Sequence, residues 1–140
     1  MTLASPEMIQ LLLKCGADAY ATGFSGNNPL MCACVFNRVD NVKFWLKEFP
    51  DWDLEARNTV VGGVALGAGV FMGPNRLELA QLLIKHGAKL NIVTQYGTSI
   101  LISSTSNEDA DPGIVRLLLE CHLDIVMLRS RYGIVAQYTV

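Results

Sequence analysis

The ten residues Ala80–Lys89, AQLLIKHGAK, reveal how this chain is organised, because nearly the same phrase occurs at two other places. Ile9–Asp18 reads IQLLLKCGAD, and Val115–Asp124 reads VRLLLECHLD. A more divergent copy, Val42–Glu48, reads VKFWLKE. The apolar triplets of the four copies begin 33 to 38 residues apart. A period of this length is typical of stacked helical repeats.

A second phrase lies between the copies of the first. Gly26–Leu30 reads GNNPL, Gly62–Leu66 reads GGVAL, and Gly97–Leu101 reads GTSIL. Gly133 is the first residue of a fourth copy, and successive glycines are 35 or 36 residues apart. Two independent phrases therefore keep the same period over nearly the whole chain.

Each unit has the pattern of a helix pair followed by an extended segment. Leu79, Leu82 and Leu83 recur at helical spacing, with polar residues on the opposite face. We expect each unit to run from a turn through a first helix, a short loop and a second helix to an extended finger. Residues of the expected types mark the helix ends: Pro29 and Ser99 at the starts of first helices, and Gly16 and Gly87 after second helices.

These phrases resemble the ankyrin repeat, which reads G-x-T-P-L-H-x-A, then V-x-x-L-L, then G-A-D and an Asn. Pro29–Ala33, Gly16–Asp18 and Gly87–Asn91 fit that pattern. The T-P-L-H phrase is intact nowhere, and His122 stands in place of the cap glycine. The resemblance implies an all-α fold, an α-solenoid of ankyrin-like helix-turn-helix repeats with short extended fingers.

The period divides a single domain, residues 1–140, into five parts. They are a partial repeat at 1–21, repeats at 22–57, 58–93 and 94–128, and the start of a further repeat or a cap at 129–140. Terminal repeats of a stack need a polar outer face, but the triplet Leu11–Leu13 is as apolar as the interior copies. We therefore expect the chain to be a segment of a longer array, or to be capped by another subunit.

The composition excludes several classes of partner. The formal charge is −2 and charged residues make up only 17% of the chain, so neither nucleic acid nor an anionic membrane surface is an expected partner. Four cysteines follow no disulfide spacing, and no signal peptide precedes them. We expect free, mostly buried thiols in a reducing intracellular compartment such as the cytoplasm.

The stretch Val60–Gly73, VVGGVALGAGVFMG, admits three interpretations. A phosphate-binding loop would need a Lys and a Ser or Thr after the last glycine, where Pro74 and Asn75 stand instead. A membrane span would need about 20 apolar residues, and this run is shorter. By the repeat register it is a finger tip followed by a glycine-rich first helix. Because glycine costs about 1 kcal/mol relative to alanine in a helix, we expect this helix to be the weakest.

Residue types that often carry chemistry are present but have no partners at the required spacing. Cys32 and Cys34 lack the second pair or nearby histidines of a zinc site. His86 and His122 each end a second helix, with no nucleophile placed beside them. We expect no catalytic residue, no metal site and no cofactor.

Two further features have a structural and a functional interpretation. The acidic group Glu108, Asp109 and Asp111 lacks the alternation of a calcium loop, and Asp111 is expected to cap the helix that begins at Pro112. Trp52 lies in a distorted finger, where it could wedge between repeats or face a partner.

What remains is a surface for binding protein. In ankyrin-like stacks the finger tips and first helices line a concave groove, and exposed tyrosine and arginine are enriched at binding hot spots. Tyr96 and Tyr132 either pack on the next finger or contact a partner. The function implied is non-catalytic protein–protein interaction; the alternative is a structural spacer or a subunit buried within a large multiprotein complex. The candidate partner-binding residues are Phe24, Ser25, Asn27, Val60, Val61, Gln95, Tyr96, Thr98, Arg131 and Tyr132.

Overall fold

Helices form the regular structure in the computed structural model, which describes residues 4–71 and 73–121. The described residues contain no strand, only an isolated bridge between Val93 and Ser99. The prediction of an all-α fold is confirmed for this part of the chain. The helices are α1 (Pro6–Lys14), α2 (Pro29–Val35), α3 (Val39–Glu48), α4 (Ala65–Phe71), α5 (Arg76–Lys85), α6 (Ile100–Thr105) and α7 (Pro112–Glu120).

Side-chain caps begin several of these helices. The Oδ1 atom of Asn28 accepts a hydrogen bond from the Met31 backbone N–H at 2.9 Å at the start of α2. Ser99 caps α6 through its hydroxyl oxygen, and Asp111 caps α7 by accepting from the backbone N–H of Gly113. These bonds satisfy amide groups that would otherwise lack a partner in the first turn. The predicted starts at Pro29, Ser99 and Pro112 are confirmed.

Left-handed backbone follows two of the Leu-rich helices. Gly16 has φ +92° after α1, and Gly87 has φ +94° after α5. This conformation strains residues that carry a Cβ, which explains glycine at both positions. The predicted cap glycines are confirmed.

The helices pack in two layers. The short helices α2, α4 and α6 contact one another in succession, and α1, α3, α5 and α7 form the second succession. Across the layers α2 pairs with α3, α4 with α5, and α6 with α7. The apolar core lies between these layers.

Corresponding residues of the three pairs occupy corresponding places in the core. Leu30, Leu66 and Leu101, the last residues of the shared phrase, are almost completely buried. The small residues Ala33, Gly69 and Ser104 are also buried, where neighbouring helices come close. Trp45 is 2% exposed and belongs to the core.

The thiols differ from the prediction. All four cysteines are free, but only Cys34 is buried, so the expectation of mostly buried thiols is wrong. Cys15 and Cys121 are the C-cap residues of α1 and α7, and Cys15 is exposed whereas Cys121 is half-buried. Burial, with a smaller contribution from Cys32, raises the pKa of the Cys34 thiol to about 12.

Helix α1 presents an apolar face to solvent. Met8 is 52% exposed and Leu11 is 57% exposed, while Ile9 on the opposite face is buried. Met8 and Leu11 are three residues apart and therefore lie side by side on the same face of α1.

Candidate functional site: a groove between the fingers and the short helices

Three loops precede the short helices and are joined by equivalent hydrogen bonds. The backbone N–H of Thr59 donates to the carbonyl of Ser25 at 3.0 Å. One unit later, the N–H of Gln95 donates to the carbonyl of Val61 at 2.9 Å. These loops, residues 17–28, 52–64 and 88–99, are called the fingers below. The bonds hold neighbouring fingers in a fixed register.

Polar side chains stabilise the bends of the second and third fingers from within. The Oδ1 atom of Asn58 accepts from the backbone N–H groups of Val61 and Gly63. The hydroxyl oxygen of Thr94 accepts from the N–H groups of Tyr96 and Thr98 at 3.3 and 3.2 Å. These side-chain acceptors are therefore already engaged inside the protein.

An arginine links two of the fingers. The Nη1 atom of Arg57 donates to the carbonyl of Gly62 at 2.8 Å and to the carbonyl of Val93 at 2.6 Å. Because guanidinium donors form strong hydrogen bonds with carbonyl oxygens, this contact restrains the second finger against the third.

A groove of about 480 Å³ lies between the fingers and helices α4 and α6. No lining residue carries a formal charge, and the volume is within the range of ligand-binding cavities. We call this cavity the groove. Its lining residues are Val35, Asn58, Val61, Gly63, Val64, Gly67, Ala68, Phe71, Thr94, Tyr96, Thr98 and Ser103.

The groove is open because one large side chain is missing from a repeated position. Counted from the turn glycine of each unit, Gly67 corresponds to Met31 and Ile102. Those two side chains are 2% and 1% exposed. A Cβ added to Gly67 would meet only the Cδ1 of Ile100, at 3.7 Å. Glycine at 67 thus leaves a space where its counterparts place a large apolar side chain.

Three of the predicted binding residues line the groove. Val61, Tyr96 and Thr98 are brought together there, and Tyr96 is half-buried. Phe24 is completely exposed and Val60 is 56% exposed, both at finger tips outside the groove.

The remaining predicted residues make contacts between fingers or lie elsewhere. The carbonyl of Ser25 accepts from Thr59, and the Oδ1 of Asn27 accepts from the Nδ2 of Asn58 at 3.1 Å. The Nε2 of Gln95 donates to the carbonyl of Val60 at 2.7 Å. These three residues do not line the groove. Arg131 and Tyr132 lie outside the described residues, as does the predicted repeat start at 129–140.

Sequence reasoning missed the groove's floor. The register places Val60–Gly73 at a finger tip followed by a weak, glycine-rich first helix, and by itself it gives no indication of the space that Gly67 leaves. The signal was available: aligning the units on their turn glycines sets Gly67 against Met31 and Ile102. Glycine against two large apolar residues at a buried position indicates either a cavity or a close approach of two chain segments.

Other expected features can be placed as well. The predicted glycine-rich first helix is present as α4. His86 lies at the end of α5, with its ring Nδ1 2.8 Å from the carbonyl oxygen of Leu82. In the described ranges, no group of three or more His, Cys, Asp or Glu residues could hold a metal ion. No helix in those ranges is long and apolar enough to cross a membrane.

No known family model matches the chain, and no curated protein is significantly similar to it.

Proposed function

We propose that this chain is a non-catalytic protein-interaction module, built from ankyrin-like repeats, that binds an apolar segment of a partner protein in the groove. The observation that carries the proposal is the groove itself, an uncharged cavity of about 480 Å³ beside the finger tips. In the neighbouring units the position of Gly67 carries Met31 and Ile102, so the groove is particular to one unit.

The ankyrin-like part of the proposal is supported by agreement between sequence and structure. The repeated phrases coincide with paired helices, and equivalent finger-to-finger hydrogen bonds recur one unit apart. The turn glycines Gly26, Gly62 and Gly97 all have positive φ, at +70°, +67° and +76°. A shared backbone conformation at the same point of three units is what a repeat requires.

The chemistry of the groove favours an apolar occupant. A charged group placed among these residues would lose hydration without gaining an ionic partner. The side-chain oxygens of Asn58 and Thr94 already accept hydrogen bonds from backbone N–H groups, so they have little capacity to accept from polar groups of a ligand. Aliphatic or aromatic side chains would displace water from Val61, Val64 and Gly67 at no such cost.

The finger tips extend this surface. Phe24 and Val60 are large, apolar and exposed, and aromatic side chains at such positions often dominate binding energy. The expected complex therefore has an apolar anchor in the groove and further contacts at the tips.

Photo-crosslinking tests the proposal. A photo-crosslinking amino acid in place of Val61 should capture a discrete partner from a lysate of the source organism. The same group in place of Lys85, exposed on α5, should not capture it. With that partner purified, Tyr96→Ala should weaken binding by about fivefold or more. Unchanged affinity in a variant with a native circular dichroism spectrum would reject the groove as the binding site.

A second candidate, a structural role inside a larger assembly, is favoured by the exposed face of α1. Burying Met8 and Leu11 under another subunit would remove apolar surface from water. Leu11→Lys distinguishes the two functions. If the Leu11→Lys variant no longer joins the larger assembly but still binds its partner in the groove, the structural role is supported. If the variant joins the assembly as the wild type does, the structural role is contradicted. The free thiols are consistent with a reducing compartment such as the cytoplasm.

A further inference from the structure

An aromatic cluster joins the first finger to the second. The rings of Tyr20 and Trp52 are stacked, with centroids 5.1 Å apart and an interplanar angle of 6°. Trp52 in turn meets Trp45 edge-on at 5.4 Å and Phe49 at 5.5 Å. Trp52 therefore wedges between units, which was one of its two predicted roles.

Tyr20 is the outermost member of this cluster. One face of its ring lies on Trp52, yet the residue remains 71% exposed. Packing explains the positions of Trp45, which is 2% exposed, and of Phe49. It does not explain why a tyrosine is held against Trp52 with most of its surface in solvent.

A cavity of about 250 Å³ adjoins the stacked pair. It shares no lining residue with the groove described above. The side chain of Asn28 at its edge already accepts from the Met31 N–H. We call this cavity the aromatic pocket; it is lined by Tyr20, Thr22, Asn28, Trp52, Asp53 and Ala56.

One acidic side chain, Asp53, lines the aromatic pocket, and no basic side chain lines it. Residues 15–28 and 49–56 contain Asp18, Asp51, Asp53 and Glu55 but no Lys, Arg or His. Within residues 4–71 and 73–121 the only ion pair joins Lys43 to Glu78. Asp53 therefore has no cationic partner there, and one of its oxygens is held by the Glu55 N–H at 3.0 Å.

We propose that the aromatic pocket binds the guanidinium group of an arginine side chain on a partner peptide. Aromatic faces attract cations, and a carboxylate beside them adds a hydrogen-bond acceptor for the same ion. Arginine fits better than lysine because its planar head both stacks on a ring and forms paired hydrogen bonds with a carboxylate. Its methylene stem suits the apolar wall of Ala56 and Trp52. This site does not depend on binding in the groove.

Amide and indole chemical shifts of the ¹⁵N-labelled 140-residue chain test the proposal directly. N-acetyl-arginine-N-methylamide is added at millimolar concentrations, with the corresponding citrulline and lysine derivatives as probes of charge and shape. The arginine derivative should give saturable shifts at the Trp52 indole and the Tyr20 amide. Equal effects of citrulline would overturn the role of charge, equal binding of lysine would overturn the preference for guanidinium, and no saturable shift would overturn the site.

Variants of the chain separate binding from structure. Tyr20→Ala and Asp53→Asn should each weaken the arginine derivative by about two- to fivefold, whereas Tyr20→Phe should bind like the wild type. Asp40→Asn, an exposed acid on α3, is the matched control for the change in net charge. Unchanged affinity in Asp53→Asn, or equal weakening in Asp40→Asn, would contradict the proposal.

Discussion

Replacing Gly67 with alanine should make the protein more stable. Gly67 lies inside α4, a seven-residue helix that also contains Gly69. A Cβ at position 67 would have one neighbour, the Cδ1 of Ile100 at 3.7 Å, which is an ordinary van der Waals distance. The added methyl group therefore meets no clash, while the helix gains a better helix-forming residue.

The expected gain is about 1 kcal/mol in the free energy of unfolding, from the difference between glycine and alanine inside a helix. For a chain of this size that corresponds to a rise of about 3 to 5 °C in the midpoint of thermal unfolding. Urea unfolding followed by circular dichroism measures the free energy, and calorimetry measures the midpoint.

Gly87→Ala is the matched control. Like Gly67, it has open space for a Cβ, but its φ is +94°. Alanine there should destabilise the protein by about 1 kcal/mol, because a side chain strains left-handed backbone. If Gly67→Ala is neutral or destabilising while Gly87→Ala behaves as expected, the space above α4 is not open and the reasoning about the groove fails.

Three further predictions concern the turns, the caps and the thiols. Gly26→Ala should destabilise the chain by about 2 kcal/mol or more, measured by urea unfolding. Its φ is +70°, and a Cβ would lie 2.8 Å from the Thr59 backbone nitrogen. An unfolding midpoint equal to that of the wild type would contradict the register of the fingers. Ser99→Ala should cost about 1 kcal/mol through loss of the α6 cap, measured in the same way, and Ser99→Asp or Ser99→Asn should restore part of it. Iodoacetamide at pH 8 should modify Cys15 but not Cys34 until the protein unfolds, as mapped by mass spectrometry. Cys34 should also make stability depend on pH, because the pKa of its thiol is about 12 in the folded protein and near the ordinary value of 9.0 in the unfolded chain. The unfolded thiol therefore ionises first, and the free energy of unfolding should fall as the pH rises above 9. A Cys34→Ala variant with the same pH dependence would contradict this.

Much of the helical structure could be predicted from the sequence because local chemistry determines it. Proline and a capping side chain set the start of α2, and left-handed glycine follows α5. Apolar residues at helical spacing mark the buried faces: Leu79 and Leu83, which share that spacing, are completely buried. These features depend on residues close together in the chain.

The groove could be predicted only in part, because it depends on a large side chain that is missing at position 67. Position relative to the turn glycine selected Val61 and Tyr96 as binding candidates, and both line the groove. The same reasoning also selected Asn27, whose side chain is used instead to bond Asn58. Periodicity gives the place of a residue in its unit, but the hydrogen bonds between units decide whether its side chain is free to bind.

The thiols show a similar limit. Cys15 and Cys34 are of the same residue type in neighbouring units, but one is exposed at the end of α1 and the other is buried beneath α4. Burial of a given cysteine depends on whether another helix covers it, and residue type alone does not contain that information.

The affinity of the crosslinked partner for a Gly67→Leu variant tests the central claim most directly. Leucine at 67 would place in the groove a side chain comparable to those of Met31 and Ile102, its counterparts. By isothermal titration calorimetry, we expect the Gly67→Leu variant to bind the partner about tenfold more weakly or worse while its circular dichroism spectrum stays native. Gly69→Ala, on the opposite face of α4, should bind with an affinity close to that of the wild type. Wild-type affinity in a folded Gly67→Leu protein would show that the partner does not occupy the groove.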